Sequence, residues 1–394
     1  MTRQYTSTTR VGWGQRLMQS FKGIVTGFVL ILVAVVLLWW NEGRAVNTAK
    51  GLAEGAAAVV AVSADTVDPN NDGLLVHVSG QASAGETLSD PVLGVQQRAI
   101  ALVREVEMYQ WREDSSTETR TRAGGAEERV TTYSYRTEWS ARQIDSSRFN
   151  QPSQHQNPTS FPISAETRRA SDVSVGAFAL SARLIGQIGQ GDYLRLDERH
   201  VAALPSALQV RANAEHADWL YVGNPMSPEV GDLRIRLKLV EDQPVSILAR
   251  QSGANLITHT TSRGTTIERL RAGHHSAEAM FEQMVRENTA LTWGLRVLGI
   301  VLAIMGFGAI LRPIQVVADV LPILGSIAAT GVGLVSTILG SVLSLLVIAL
   351  AWLFYRPLLS IVLLAICAGL IYLARQRGKS AAPAPEPESS PPAP

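Results

Sequence analysis

Seven histidines carry the widest range of chemistry in this chain, since imidazole moves protons near neutral pH and ligates metals. They stand at His77, His155, His200, His216, His259, His274 and His275, scattered rather than spaced as ligands. No HExxH helix motif occurs, and the single cysteine, Cys367, lies in an apolar run far from any histidine, so no zinc site is expected. Asp197-Glu198-Arg199-His200 is the most reactive-looking run, and a charged quartet of this kind reads as solvated loop. Glu105 and Glu107 alternate along a strand and so share a face, as an acid/base pair would. Their aromatic and basic neighbours favour cross-strand salt bridges instead. GxSxG, GxxxxGK[ST] and GxGxxG are all absent. A Ser–His–Asp set drawn from distant segments is defined by geometry, and spacing leaves it open. The sequence therefore names no catalytic, metal or cofactor-binding residue and calls for no cofactor.

The elements that must position these residues are dominated by apolar runs. Gly23 to Trp40 carries no charge and is long enough for a bilayer core of about 30 Å. Trp293–Leu311, Gly331–Tyr355 and Leu358–Ala374 are three further candidates near the other end. Segments in lipid must satisfy their own backbone, so all four are expected to be helices. The hydrophobic share of 46% and charged share of 18% average this apolar part with a polar middle of ordinary composition. The net charge of +1 and the lack of a basic aromatic platform argue against nucleic acid as a partner.

Arg3, Arg10, Arg16 and Lys22 precede the first helix, and Arg375, Arg377 and Lys379 follow the last. Basic flanks stay in the cytoplasm, so both termini are expected there, with four crossings between them. Trp39-Trp40-Asn41-Glu42 lacks a small-x-small cleavage pattern, so the first helix is expected to be an uncleaved anchor. The predicted organisation is a basic N-terminus (1–22), a first transmembrane helix (23–40), an α+β extramembrane domain (41–290) and a bundle of three transmembrane helices. These are 293–311, 331–355 and 358–374, with an interfacial or re-entrant segment at 314–330 and a disordered Pro/Ala-rich tail at 375–394. Asp319 within 314–330 has no intramembrane partner in this reading, and Arg296 is expected to snorkel beside Trp293. Ser336, Gly340 and Ser344, and likewise Gly23 and Gly27, recur every four residues and predict close helix contacts. Arg356-Pro357 predicts a tight hairpin between the last two crossings.

In the middle domain, Asn41–Glu54 should extend the first helix, and Ser276 should cap a helix leading into the second crossing. Strands are expected at 74–79, 103–111, 130–139, 233–240 and 245–250, with a further helix at 173–188. Val103–Trp111 and Val130–Trp139 are expected to form a long hairpin in which Tyr109, Trp111, Tyr133, Tyr135 and Trp139 pack across the strands, an exposed aromatic recognition strip being the alternative, with 115–128 as a mobile tip.

Several blocks extend this reading. Asn41-Glu42-Gly43-Arg44-Ala45, Leu52-Ala53-Glu54-Gly55, Leu88-Ser89-Asp90-Pro91 and Val106-Glu107-Met108-Tyr109-Gln110-Trp111 resemble the transmembrane protein 43 (LUMA) family. So do Tyr133-Ser134-Tyr135, Thr137-Glu138-Trp139, Pro228-Glu229-Val230-Gly231-Asp232-Leu233-Arg234, Thr292-Trp293-Gly294-Leu295-Arg296 and Trp352-Leu353-Phe354-Tyr355-Arg356-Pro357-Leu358. The resemblance implies four crossings and a large lumenal or periplasmic domain. For animal members it implies an endoplasmic reticulum and inner nuclear membrane protein associated with lamins and emerin. It brings no catalytic residues. The Pro/Ala tail and the absence of a usable glycosylation sequon suit a bacterial member in the inner membrane with a periplasmic domain. The expected role is a non-enzymatic membrane scaffold whose partners are membrane lipids, other membrane proteins and further copies of the chain. An envelope lipid or peptide hydrolase and an accessory subunit of a transport complex are the alternatives.

Overall fold

Uninterrupted helix-favouring and apolar sequence makes three helices far longer than a membrane needs. In the computed structural model, which describes residues 4–214, 219–358, 360–362 and 369, the chain opens with strand β1 (Gln4–Val11) and helix α1 (Trp13–Ala58). Strands β2 (Val60–Val62), β3 (Leu75–Ala84), β4 (Thr87–Asp90), β5 (Val95–Arg98), β6 (Ala101–Thr121) and β7 (Glu127–Ser140) follow. Next come β8 (Glu166–Arg169), β9 (Val173–Val175), β10 (Phe178–Leu180), α2 (Ala182–Ile185), β11 (Asp192–Leu194), α3 (Glu198–Ala203) and α4 (Ser206–Gln209). Strands β12 (Ala212–Asn213), β13 (Leu220–Val222), β14 (Leu233–Val240), β15 (Gln243–Ser252) and β16 (Asn255–Ile257) lead to β17 (His259–Thr260), β18 (Thr266–Ile267) and β19 (Arg269–Ala272). Helices α5 (Ala277–Ala318) and α6 (Pro322–Tyr355) complete the series.

The chain divides into two compact units. The first holds residues 1–19, 47–289 and 315–328; the second holds 20–46, 290–314 and 329–394. In the first unit, an eight-stranded sheet runs β1-β7-β6-β14-β13-β12, with β11 on β14 and β8 on β6. A seven-stranded sheet runs β19-β15-β16-β10-β9-β3-β2, with β15 also paired to β3. Strict alternation places Leu233, Ile235, Leu237 and Leu239 of β14 in the core and Arg234, Arg236 and Lys238 outside it. Val76, Val78, Val245 and Ile247 of the other sheet meet the same core. A satellite core joins Leu52 of α1 to Leu75, Leu248, Ile267, Met280 and Phe281.

Strands at 75–84, 233–240 and 243–252 stand where the alternation placed them. Ser276 caps α5, its hydroxyl accepting from the Ala279 amide at 3.2 Å. The helix expected over 173–188 is instead the hairpin β9–β10 followed by the single turn α2. Gly176 turns that hairpin at φ +58°, a conformation helices do not use and side chains resist. The expected mobile tip at 115–128 is also corrected. The strands pair from Met108–Ser140 down to Thr121–Glu127, so only 122–126 turn, and β1 pairs with the far side of β7 from Gln4–Ser134 to Val11–Glu127.

In the second unit, the small-residue faces meet other helices as expected. A methyl on Gly340 would lie 2.6 Å from the Ile304 amide nitrogen, and one on Gly27 would lie 2.6 Å from the Gly306 carbonyl. Leu38 of α1 packs with Val347 and Ile348 of α6. Three helices are long and apolar enough to span a membrane: Trp13–Ala58, Ala277–Ala318 and Leu324–Tyr355. The described residues thus contain two C-terminal apolar helices where a bundle of three was expected. Most of the fourth candidate, 358–374, and the tail 375–394 lie outside the described residues, as do Cys367 and His216. The segment 314–330 is not a separate element: it is the end of α5, a turn at 319–321 and the start of α6. At Arg356-Pro357 α6 ends and a new helical stretch begins: Arg356 stands outside helix, its amide donating to the Trp352 carbonyl and its carbonyl accepting from the Ser360 amide. The second arm of the expected hairpin lies mostly outside the described residues. Proline's missing N–H costs little at the first turn of a new helical stretch.

Candidate functional site

A carboxylate buried among apolar helices is expensive unless donors surround it. Glu42 of α1 is fully buried, and the helix carries it into the second unit one turn beyond Leu38. Arg296 of α5 grips it with one edge of its guanidinium, Nε donating to Oε1 at 2.6 Å and Nη2 to Oε2 at 2.9 Å. The indole of Trp352 on α6 donates to Oε2 at 2.8 Å. The same guanidinium lies over the rings of Trp293 at 4.7 Å and Trp352 at 5.6 Å. Around this pair, the Asn41 amide donates to the Thr292 carbonyl at 3.0 Å, and Arg44 donates to the Thr292 hydroxyl at 2.9 Å. Gly43 sits against the Tyr355 ring, where a methyl would come within 2.7 Å.

Arg296 therefore does not snorkel to water, as expected from its place beside Trp293; it is held inside by a carboxylate that sequence placed beyond the helix. Three of the quoted blocks, Asn41–Ala45, Thr292–Arg296 and Trp352–Arg356, converge here. The arrangement satisfies both carboxylate oxygens with three donors, so it locks three helices rather than leaving a base free to take a proton.

Two other blocks supply buried carboxylates, each paired with an arginine, in the first unit. Asp90 accepts from Arg104 Nη1 at 2.5 and 2.6 Å, and Arg104 also reaches the Ser164 carbonyl and Glu166. Asp232 pairs with Arg211 and accepts from the Glu229 amide. These carboxylates are structural, each fixing a loop against a strand.

A further charged cluster binds together three distant parts of the first unit. Arg16 pairs with Asp319 at 2.6 Å and with Glu127 at 3.0 Å, all with side chains buried. Its Nη1 also donates to the Gly125 carbonyl at 2.6 Å. The Trp13 indole donates to the Val316 carbonyl at 2.9 Å, and the Gly124 amide donates to the Val320 carbonyl at 3.2 Å. Asp319, expected to stand alone, has a partner that sequence assigned to the basic flank. The hairpin turn, the start of α1 and the α5–α6 turn thus form one clamp.

The outer face of the eight-stranded sheet carries a ladder of cations and rings. Arg234 lies over Trp139 at 4.9 Å and Trp219 at 4.5 Å, while Arg236 lies over Trp219 at 4.3 Å and Tyr193 at 4.1 Å. Arg236 also bonds Glu105 at 2.6 Å and Arg234 bonds Glu107 at 2.7 Å, so the two glutamates make the salt bridges expected of them. Tyr109 packs on Trp139 at 5.2 Å, as the hairpin reading expected. Trp111 and Tyr135 find a partner that spacing did not show. His155 from the following loop meets Trp111 edge-on at 4.7 Å and stacks on Tyr135 at 3.7 Å.

The histidines resolve into separate roles. His200 completes a capping box on α3, its Nδ1 accepting from the Asp197 amide at 2.9 Å, so the charged quartet is a helix cap rather than free loop. Arg199 beside Asp197 holds that carboxylate well below the usual range. His77 faces the His275 carbonyl at 2.9 Å, and burial lowers its pKa; burial lowers that of His259 too. His274 Nδ1 lies 2.9 Å from Ser79 Oγ, which is 3.1 Å from Ser246 Oγ. This is the one nucleophile–base contact among the described residues given by these histidines, and no carboxylate is bonded to it there. No group of three histidine, cysteine or carboxylate side chains able to hold a metal occurs among the described residues. A cleft of about 290 Å³, lined by Gln190, Asp192, Leu239, Glu241 and Asp242 among others, holds neither histidine nor serine.

Long apolar helices carrying a strand-rich domain, with buried ion pairs at the helix contacts, define a multi-pass membrane protein. The family model for transmembrane protein 43 matches residues 108–357. The chain is 35% identical to transmembrane protein 43 of Rattus norvegicus over 387 residues, covering 94% of each chain. Against transmembrane protein 43 of Homo sapiens it is 34% identical, again over 94% of each. Against the transmembrane protein 43 homolog of Drosophila melanogaster it is 28% identical over 86% of this chain and 90% of the relative. No solved structure matches. The chain belongs to the transmembrane protein 43 family.

Proposed function

We propose that this chain is a non-enzymatic membrane scaffold that holds its strand-rich domain at a bilayer surface to organise lipids or other membrane proteins. The observation that carries this reading is the fate of the family blocks. Glu42 and Arg296 of two blocks pair with each other, and Asp90 and Asp232 of two more pair with Arg104 and Arg211, rather than being aimed at a shared cavity. The basic flanks support a cytoplasmic N-terminus, and a fourth crossing at 358–374 would place the tail on the same side. In a bacterial cell this would be an inner-membrane protein with a periplasmic domain; in a eukaryotic cell, one of the endoplasmic reticulum or inner nuclear membrane.

A hydrolase is the second reading, favoured by the Ser79–His274 contact. One comparison separates the two. The full chain is purified in mild detergent, and its co-purifying membrane proteins are identified by mass spectrometry. Under the scaffold reading, Arg234→Ala/Arg236→Ala on the outer sheet face reduces that set while Ser79→Ala and His274→Ala do not. Turnover of phospholipid or peptide substrates by the purified chain, abolished by Ser79→Ala, would overturn it.

A further inference from the structure

One loop of the first unit sets out oxygen ligands at a regular spacing just before β3. Asp68-Pro69-Asn70-Asn71-Asp72-Gly73 fits the first half of the D-x-[DN]-x-[DN]-G pattern on which calcium loops are built. Side-chain oxygens recur on every second residue, and a glycine after them permits the sharp turn that gathers them. Gly73 makes that turn at φ +80°. The second half of the pattern is missing. Its closing glutamate would stand at position 79, where Ser79 lies well inside β3. By itself such a loop is only a turn that leads into a strand.

The neighbouring strand supplies a second observation. β15 brings Gln251 against the loop, its amide nitrogen donating to the Asp68 carbonyl at 2.7 Å. Its backbone is tied there too, accepting from the Gly73 amide at 2.9 Å and donating to the Leu74 carbonyl at 3.0 Å. The residue is fully buried, yet no donor among the described residues reaches its Oε1. Fixed covalent geometry keeps that oxygen within roughly 5 Å of the Asp68 carbonyl oxygen. Turning the amide over would only set oxygen against oxygen. A buried acceptor left without a partner is costly, and a cation beside the loop would satisfy it. Both carboxylates are already held in place by one oxygen each. Asp68 Oδ1 accepts from the Asn70 amide at 2.9 Å, and Asp72 Oδ1 accepts from the Gly253 amide at 2.7 Å. Each keeps its second oxygen, and Asp68, Asn70 and Asp72 are all exposed.

We propose that Asp68, Asn70, Asp72 and Gln251 bind one calcium ion between this loop and β15. The ligands are all oxygens, two charged and two neutral, and water can complete the six to eight that calcium takes. Such a set suits a hard cation and offers zinc neither nitrogen nor sulfur. Magnesium demands a near-ideal octahedron and keeps its own waters, so a loop of mixed ligands favours the larger ion. Only two of the four are carboxylates, which is why no trio of histidine, cysteine and acid marks the place. The loop runs directly into Leu75, which clusters with Leu52 of α1 and with Met280 and Phe281 of α5. An ion here stiffens the corner at which the sheet receives both helices. The site does not depend on the scaffold reading.

The test uses the full chain in mild detergent, stripped with chelator, and follows bound radiolabelled calcium and the thermal midpoint, with magnesium in parallel. A single calcium per chain is expected, with a dissociation constant of about 10⁻⁴–10⁻³ M, the range of calcium sites in extracellular modules. The midpoint should rise with calcium and less with equal magnesium. Asn70→Ala removes an exposed side chain that makes no hydrogen bond among the described residues. Its calcium-free midpoint should match the parent's while its affinity falls roughly tenfold or more. Asp72→Asn keeps an acceptor for the Gly253 amide, removes a charge and should weaken binding likewise. Hydrogen exchange of the peptides around Gly73 and Gly253 should slow with calcium in the parent and not in Asn70→Ala. Binding that survives both substitutions lies elsewhere and overturns the site. A midpoint and exchange that ignore calcium mean that water serves Gln251, and overturn it as well. An equal response to magnesium overturns the assignment to calcium.

Discussion

At the residue scale, the Glu42–Arg296 pair makes the sharpest demand. Removing one member of a buried pair strands the other, which costs about 3–5 kcal/mol. Arg296→Ala should lower thermal stability in detergent by that amount, and Glu42→Gln/Arg296→Met together should recover part of it, because neither charge is then alone. Equal losses in the single and double variants would mean that the charges are not coupled. His77 sets a pH dependence. Burial holds its folded-state pKa below the ordinary value, whereas the unfolded chain takes the proton near pH 6.5. Its contribution is therefore complete above about pH 6.5 and is lost as pH falls through the folded value. The thermal midpoint should drop between pH 7 and 5, and His77→Gln should shrink that drop; an unchanged slope assigns it to other groups. Local chemistry was legible where partners are near in sequence, as for the Ser276 cap. Arg16 with Asp319, and Glu42 with Arg296, stand far apart along the chain, and no spacing rule connects them.

At the element scale, helix faces and the hairpin carry separate predictions. Gly340→Leu places four carbons where even one meets Ile304, so about 1–3 kcal/mol of stability should be lost by overpacking. Unchanged stability and elution would mean the helices part there at no cost. For the hairpin, Trp111→Ala removes a half-buried ring from His155 and should cost about 3 kcal/mol. Replacing 115–128 by a tight turn should leave the domain folded but expose 10–16 to proteolysis, since Arg10, Val11 and Arg16 lose Glu128, Glu127 and the Gly125 carbonyl while 4–9 keep residues 129–134 of β7. Protection of 10–16 in that variant would show that the contacts of Arg16 and Trp13 with 316–319 suffice to hold that segment. The hairpin itself was legible from its aromatics. Its length was not, because Arg112–Thr121 lacks the apolar alternation by which strands are read, and the same polarity disguised β1 as a basic flank. The 173–188 helix failed for the opposite reason: apolar residues shared by two short strands and a turn mimic helical spacing.

At the scale of the whole molecule, the apolar helices were plain from composition, and the two-sheet domain was legible only as a mixture of strands and helices. Pairing order between sheets depends on contacts that one sequence does not display. The clamp around Arg16 adds a consequence in time. Arg16 leaves the ribosome early, Glu127 more than a hundred residues later and Asp319 almost two hundred after that. At about 5–20 residues per second, the arginine waits tens of seconds for its last partner. Through that interval the N-terminal segment has only β7 to hold it, so nascent chains halted before Asp319 should be cut near Arg16 by added protease and those released after it should not. A turn made late in synthesis thereby secures a segment made at its start.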